Sequence, residues 1–308
     1  MSVEQELAKI VPERQTFLAI GVFDGVHAGH RCLLQKLNQK AKQNGLLSGV
    51  VTFVPHPQSV LHPHIQLPML SDLNDRIKSF QELGIQLVAV LSFTPELAHF
   101  SARDFIVLLR KYLKMRGLVV GPDFALGRGR EGDAHLLRSL GQELAFSVAV
   151  IPYFSVNGEI VSSTAVRQAL AEGDTEKVGR LMGRYFSITA QVISKSKRGR
   201  ILGFPTANLD LSPEQALPSN GVYASITYVD DRGLVSVTNI GTRPTFGEGK
   251  TIVETHLLDY KGDVYGKELK VMFLRRLRDE ERFASPQELV AQISKDIERA
   301  RVVAGELK

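Results

Sequence analysis

Up to Tyr153 the chain alternates short apolar runs with helix-patterned stretches, and from Ser187 onward it does not. No other feature constrains the fold as much. In the first part, candidate strands at Thr16–Val22, Gly49–Val54, Gln86–Leu91, Gly117–Gly121 and Ser147–Tyr153 are separated by candidate helices at Arg31–Asn44, Ser71–Leu83, Ser101–Leu113 and Asp133–Leu144. Helical crossovers bring each new strand back parallel to its predecessors, so this pattern predicts an α/β doubly wound parallel sheet with helices on both faces. Ser101 followed by Asp104 reads as a helix start, and Gly45 and Gly84 sit where helix ends favour a left-handed residue. The second part strings together Ser187–Ser194, Gly221–Val229, Leu234–Ile240, Thr251–Tyr260 and Glu268–Leu274 with Gly, Asp and Pro turns. Strands with no helix between them predict an antiparallel β-barrel or sandwich. Ser285-Pro286-Gln287-Glu288 then opens a C-terminal helix whose Leu289, Ile293 and Ile297 share one side. The boundary is expected after the helix-like Thr164–Glu172 and Glu176–Met182, giving domains 1–183 and 184–308.

A length of 308 residues suits two domains, each with its own core, and 44% hydrophobic with 23% charged residues is ordinary for a globular chain. The net charge of +5 fits anionic substrates but is too diffuse to argue for nucleic acid. The single cysteine, Cys32, rules out an intrachain disulfide and fits the cytoplasm; it reads as a packed thiol, since nothing around it marks it as activated. The N-terminus has no apolar core of a signal peptide, and runs such as Leu87–Leu91 are too short to span a membrane.

Function is most legible in residues 21–30, Gly-Val-Phe-Asp-Gly-Val-His-Ala-Gly-His. The run follows a strand and precedes a helix. Free backbone N–H groups and the helix dipole at such a junction favour an anion, and His27 and His30 add two imidazoles whose charged form phosphates would favour. A metal site would need a third ligand that the local sequence does not offer, and a purely structural turn is the remaining alternative. The run resembles the His-x-Gly-His motif of the nucleotidyltransferase superfamily, with Gly21, Phe23, Asp24, Gly25 and Gly29 in the accompanying positions.

Further segments end other strands. Thr52–Pro57 carries His56 in a Pro-rigidified loop, and Val119–Phe124 carries Asp123 ahead of the Gly/Arg run at 127–133, which could wrap an anion or be a solvated turn. Ser162-Ser163-Thr164 opens a helix in which Arg167 adds a cation one turn in, suited to a departing pyrophosphate. In this order the segments resemble the adenylyltransferase domain of prokaryotic bifunctional riboflavin kinase/FAD synthetases. In the second half, Gly199–Asn208 resembles that family's riboflavin kinase signature, and Asn239–Phe246 and Glu254–Asp259 resemble its flavin-loop and catalytic segments. The resemblance spans nearly the whole chain.

The resemblance implies riboflavin phosphorylation by ATP to FMN in the barrel, and adenylylation of FMN to FAD in the first domain. It gives His27, His30 and Arg167 charge-stabilising roles and places Gly21, Phe23, Asp24, Gly25, Gly29, His56, Asp123, Ser163 and Thr164 around ATP and FMN. In the barrel it places Gly199, Arg200, Gly203, Pro205, Asn239, Thr242, Arg243 and Thr245 around nucleotide and flavin, with the basic stretch Lys195–Arg200 over the phosphates. Thr206 and Asn208 offer the hard oxygens that Mg²⁺ prefers, and Glu254 is the expected proton acceptor. The implied partners are riboflavin, FMN and ATP, with no nucleic acid or membrane. Two rivals are a nucleotidyltransferase with a passive flavin-binding barrel and a flavin carrier without catalysis. Thr206, Asn208 and Glu254 speak against the first, and the joint presence of His27, His30 and Glu254 against the second.

Overall fold

The computed structural model describes residues 1–193, 203–243 and 250–307. The chain forms two compact units, Met1–Ser163 and Thr164–Lys308. The first begins with α1 (Val3–Ala8), β1 (Thr16–Ile20), α2 (Ala28–Gln43), β2 (Leu47–Val54), α3 (Pro57–Leu61), α4 (Leu73–Glu82) and β3 (Leu87–Ser92). It continues with α5 (Pro95–Ala98), α6 (Ala102–Tyr112), β4 (Met115–Val120), α7 (Ala134–Leu144), β5 (Ser147–Val150) and the small hairpin β6 (Ser155–Val156) and β7 (Glu159–Ile160).

The five major strands form one sheet in the order β3-β2-β1-β4-β5, every neighbouring pair parallel. Alternate residues serve opposite faces, as the two-residue period of a strand requires. Phe17, Ala19, Val50 and Val119 pack with Leu34 and Leu37 of α2 and Phe80 of α4. Leu18, Ile20, Val51 and Val120 pack on the other side with α6 residues such as Phe105 and Ile106. Strand order reverses between β1 and β4, and in open α/β sheets ligands bind at the carboxyl ends of strands beside such a reversal. Ser101 and Asp133 cap α6 and α7, each side chain accepting the amide three residues on, and Gly45 and Gly84 adopt φ of 66° and 80°.

The second unit contains α8 (Ser163–Glu172, whose first residue closes the first unit), α9 (Thr175–Met182), β8 (Ser187–Ile193), β9 (Ala207–Asp210), β10 (Gly221–Val229), β11 (Arg232–Arg243), β12 (Lys250–Leu257), β13 (Glu268–Arg278) and α10 (Pro286–Gly305). The strands close into an antiparallel barrel in the order β10-β11-β12-β9-β8-β13. Helix α10 lays Ala300 and Val303 against Val222, Ala224 and Leu274. Ser285 caps it by accepting the Glu288 amide, while the Glu288 carboxylate reaches back to the Ala284 amide, one residue beyond a standard capping box. Helix α9 packs on the barrel through buried Val178, Leu181 and Met182, and Thr175 Oγ1 donates to the Leu274 carbonyl at 3.2 Å.

The barrel interior holds a closed ring of hydroxyls among its apolar side chains. Ser225, Ser236, Thr227, Thr255 and Thr238 are each fully buried and bonded in sequence, with separations of 2.8, 2.7, 3.3 and 2.9 Å, closing from Thr238 back to Ser225 at 2.7 Å. Each hydroxyl can donate once and accept once, so the polarity is satisfied without water. Replacing Thr238 by the isosteric Val leaves Ser225 and Thr255 each short of a partner. The expected cost is about 1–3 kcal/mol, read as a lower urea midpoint, with Thr238→Ser retaining most of the stability. An unchanged midpoint for the Val variant would show that the ring contributes nothing net.

Candidate active sites

In the first unit the decapeptide leaves β1 at Gly21, whose amide still donates to Val51. The chain then turns through three left-handed residues: Phe23 (φ 56°), Gly25 (φ 75°) and Val26 (φ 38°). Non-glycine residues adopt this region only when their surroundings enforce it. Two ties do so here. The Asp24 carboxylate, 3% exposed, accepts from the amides of Leu70 and Ser71 and from the Ser71 hydroxyl, which itself accepts the Gly25 amide. The Val22 carbonyl accepts from Thr52 Oγ1 at 3.1 Å and from Arg76 Nη1 at 2.7 Å. Burial pulls the Arg76 guanidinium below its ordinary pKa, and the Asp24 and Asp72 carboxylates oppose that shift. A side chain at Gly25 would be strained, because φ is 75° there and its Cβ would lie 3.0 Å from the Leu70 side chain.

The turn delivers both histidines to the start of α2. His27 is the N-cap, its Nδ1 accepting the His30 amide at 3.3 Å, so in the neutral ring the proton sits on Nε2. The two imidazoles stack with centroids 3.6 Å apart, and the Phe23 ring meets His30 edge-on at 5.2 Å. Gly29 lets the backbone approach closely, since a Cβ would meet the His27 ring and the Val161 carbonyl at 3.2 Å. Ser163 Oγ, at the end of the first unit, donates to the Asp24 carbonyl at 3.1 Å. Paired imidazoles above a helix N-terminus can hold and stabilise phosphate charge.

The other expected residues of this site lie on separate elements. His56 caps α3, its Nδ1 accepting the Gln58 amide. Asp123 is exposed, and its carbonyl accepts from Arg130, so this arginine of the Gly/Arg run closes its own turn. Thr164 and Arg167 lie on α8 within the second unit.

In the barrel, antiparallel register sets Asn239, Glu254 and Asn208 side by side across β11, β12 and β9. Directly paired residues share a face, with Cβ atoms typically about 4.5–5.5 Å apart. On β12, Val253, Thr255 and Leu257 are buried inward, whereas Glu254 and His256 are half-buried on the other face. Asn208 is 4% exposed, and its Oδ1 has no hydrogen-bond partner among the described residues. A buried amide oxygen without a donor is costly unless a cation or water meets it. Among the described residues no group of three or more His, Cys, Asp or Glu could hold a metal. The Asn208 amide oxygen lies in register with the Glu254 carboxylate, and such hard oxygens fit a divalent ion that keeps its waters and substrate phosphates.

Thr206, half-buried, immediately precedes β9, after exposed Gly203 (φ 86°) and Pro205. Asn239 Nδ2 donates to Glu280 at 3.4 Å, and Thr242 Oγ1 accepts from Asn220 at 3.1 Å. Gly199, Arg200 and Thr245, with the rest of the Lys195–Arg200 stretch, lie outside the described residues, as does the Arg243 side chain.

Residues 10–165 match the FAD synthetase family and residues 182–304 the riboflavin kinase family. The bifunctional riboflavin kinase/FMN adenylyltransferase of Escherichia coli K12 is 39% identical over 96% of this chain and 94% of its own. The protein of the same description from Pseudomonas fluorescens is 38% identical over 99% and 98%. The chain belongs to the bifunctional riboflavin kinase/FMN adenylyltransferase family. A crystal structure titled as a macrolide-efflux protein from Streptococcus pneumoniae also aligns with it, with a TM-score of 0.87 and 28% identity over 96% of each chain. In this family member, no helix among the described residues is long and apolar enough to cross a membrane.

Sequence reasoning missed three residues that shape the first site: Thr52 as a tie, Ser71 and Arg76. The last left a signal. It stands three residues after Leu73 and four before Phe80, a charge on the apolar stripe of α4. A charge in that position needs buried partners, and Val22 and Thr52 supply them at 2.7 and 3.1 Å.

Proposed function

We infer that this chain makes both flavin cofactors: it phosphorylates riboflavin with ATP to give FMN, then adenylylates FMN with a second ATP to give FAD and pyrophosphate. The carrying observation is that each compact unit gathers one motif set, stacked His27 and His30 in the first and the row Asn239–Glu254–Asn208 in the second. The functional division is proposed at 183/184, with α9 as a packing element of the barrel.

In the kinase step, Glu254 accepts the proton of the riboflavin terminal hydroxyl as its oxygen attacks the γ-phosphorus of ATP, and ADP leaves. Thr206 and Asn208 would hold Mg²⁺, which when bound neutralises charge on the phosphates. Gly203, Pro205, Asn239 and Thr242 line the substrate side of this reading. In the adenylylation step, a phosphate oxygen of FMN attacks the α-phosphorus of ATP. His27, His30 and the N-terminal amides of α2 stabilise the charge on that phosphorus, and the geometry held by Asp24 and Arg76 keeps them in place. Neither step needs a covalent enzyme intermediate. A passive barrel is disfavoured, because the riboflavin kinase match covers the unit that holds Glu254. Location in the cytoplasm belongs to this reading and is supported by the single cysteine.

Incubating the purified chain with riboflavin, ATP and Mg²⁺ should give FMN and then FAD by chromatography, with ADP and pyrophosphate as co-products. FMN supplied alone with ATP should give FAD. Absence of either flavin product from folded protein overturns the corresponding half.

A further inference from the structure

We propose that His256 is a positioning residue for the divalent cation of the kinase site, acting through the turn that carries Thr206. The inference rests on the reading in which Thr206 and Asn208 hold that cation. Asn208 is fixed by the β9–β12 ladder, whose register runs Val253–Leu209, Glu254–Asn208 and Thr255–Ala207 and stops there. Thr206 lies one residue beyond the last rung, and Pro205 beyond it has no N–H with which to extend the pairing. Strand β12 nevertheless continues, and its next residue supplies a side chain where the backbone cannot. His256 Nδ1 lies 2.7 Å from the Pro205 carbonyl oxygen. A carbonyl only accepts, so the ring proton must be on Nδ1. The Phe204 ring meets the same imidazole edge-on, with centroids 5.7 Å apart and planes at 84°.

Thr206 is thereby bracketed. The ladder holds Ala207 and Asn208 on one side of it, and His256 holds Phe204 and Pro205 on the other. Glu254 and His256 are two residues apart on one strand and so share a face. One short stretch of β12 thus presents the expected base and anchors the turn beside it. Groups that orient metal ligands without touching the metal typically contribute about 10–100-fold in affinity or activity.

The test uses the full-length chain and three substitutions. His256→Phe keeps the ring against Phe204 and removes the donor. His256→Asn places an amide N–H near the position of Nδ1, and His256→Gln places one near that of Nε2. The readouts are the Mg²⁺ concentration for half-maximal riboflavin phosphorylation and, without turnover, Mn²⁺ binding in the presence of ADP by electron paramagnetic resonance. The component of Mn²⁺ binding lost in Asn208→Ala defines the kinase site. His256→Phe and His256→Gln should raise both half-saturation values by about 10-fold or more, while FAD formation from supplied FMN stays unchanged. His256→Asn should recover most of the loss. If the Phe variant fails to fold, the contrast between Asn and Gln decides.

Unchanged half-saturation in folded His256→Phe, or equal values for Asn and Gln, overturns the role of His256. Wild-type protein with no Mn²⁺ component sensitive to Asn208→Ala overturns the cation site itself, and the inference with it.

Discussion

Glu254→Gln is expected to lower kcat for FMN formation by roughly 10²–10⁴-fold, the range for losing general-base catalysis. Gln matches Glu in size and hydrogen-bonding reach but takes up no proton at neutral pH. Because Glu254 is half-buried between Asn239 and Asn208 on adjacent strands, the substitution should leave the barrel intact. The KM for riboflavin should therefore change little, and adenylylation of supplied FMN should persist. Glu254→Asp should fall between the two, since the carboxylate survives but retreats by one methylene. Steady-state kinetics with riboflavin and with FMN as alternative starting substrates check all three statements. Near-native FMN production by the Gln variant removes Glu254 from the mechanism and leaves it a strand residue.

The mirror-image experiment is His30→Ala, expected to reduce FAD formation from FMN by roughly 10²-fold or more if the imidazole stabilises transition-state charge. His30 stacks on His27 and contacts Phe23 through its ring, so part of any loss could come from disturbing the turn. His30→Phe separates these contributions. It retains a ring against Phe23 and His27 without an imidazole, and should remain impaired if the ring's charge is what acts. The backbone of the turn is held elsewhere, by Asp24 with Leu70 and Ser71 and by Val22 with Thr52 and Arg76. Riboflavin phosphorylation should stay nearly intact in both variants. Equal loss of both activities in a folded His30 variant contradicts two independent sites.

Much of the candidate chemistry is legible in the sequence. His27 and His30 are close in sequence, and a strand–turn–helix junction fixes how residues 27–30 present themselves, so the juxtaposition of the two rings follows from local pattern. The roles of Glu254 and Asn208 are expected through resemblance, and their adjacency is not legible across 45 intervening positions; the β9–β12 register supplies it. Strand β9 itself carries little sequence signal. It has four residues, follows a proline and contains Asn and Asp, which are depleted in strands, so neither length nor propensity marks it. The contact of His256 is not legible in the sequence for a related reason: its partner is a backbone carbonyl, which leaves no trace in side-chain chemistry.

The sequence by itself determined the order and type of the main elements. Helical and strand periodicities are local, and each buried face was already written in the spacing of its apolar residues. It likewise determined the antiparallel character of the second half and the caps at Ser101 and Ser285. The tertiary structure alone decided which strands pair and in what register. It also decided that Asp24 is held by residues 46 and 47 positions away and that five hydroxyls from three strands close a ring inside the barrel. Such contacts join segments whose local patterns are independent of one another. Their satisfaction depends on register, and a shift of one residue would send Glu254 inward and Thr255 outward.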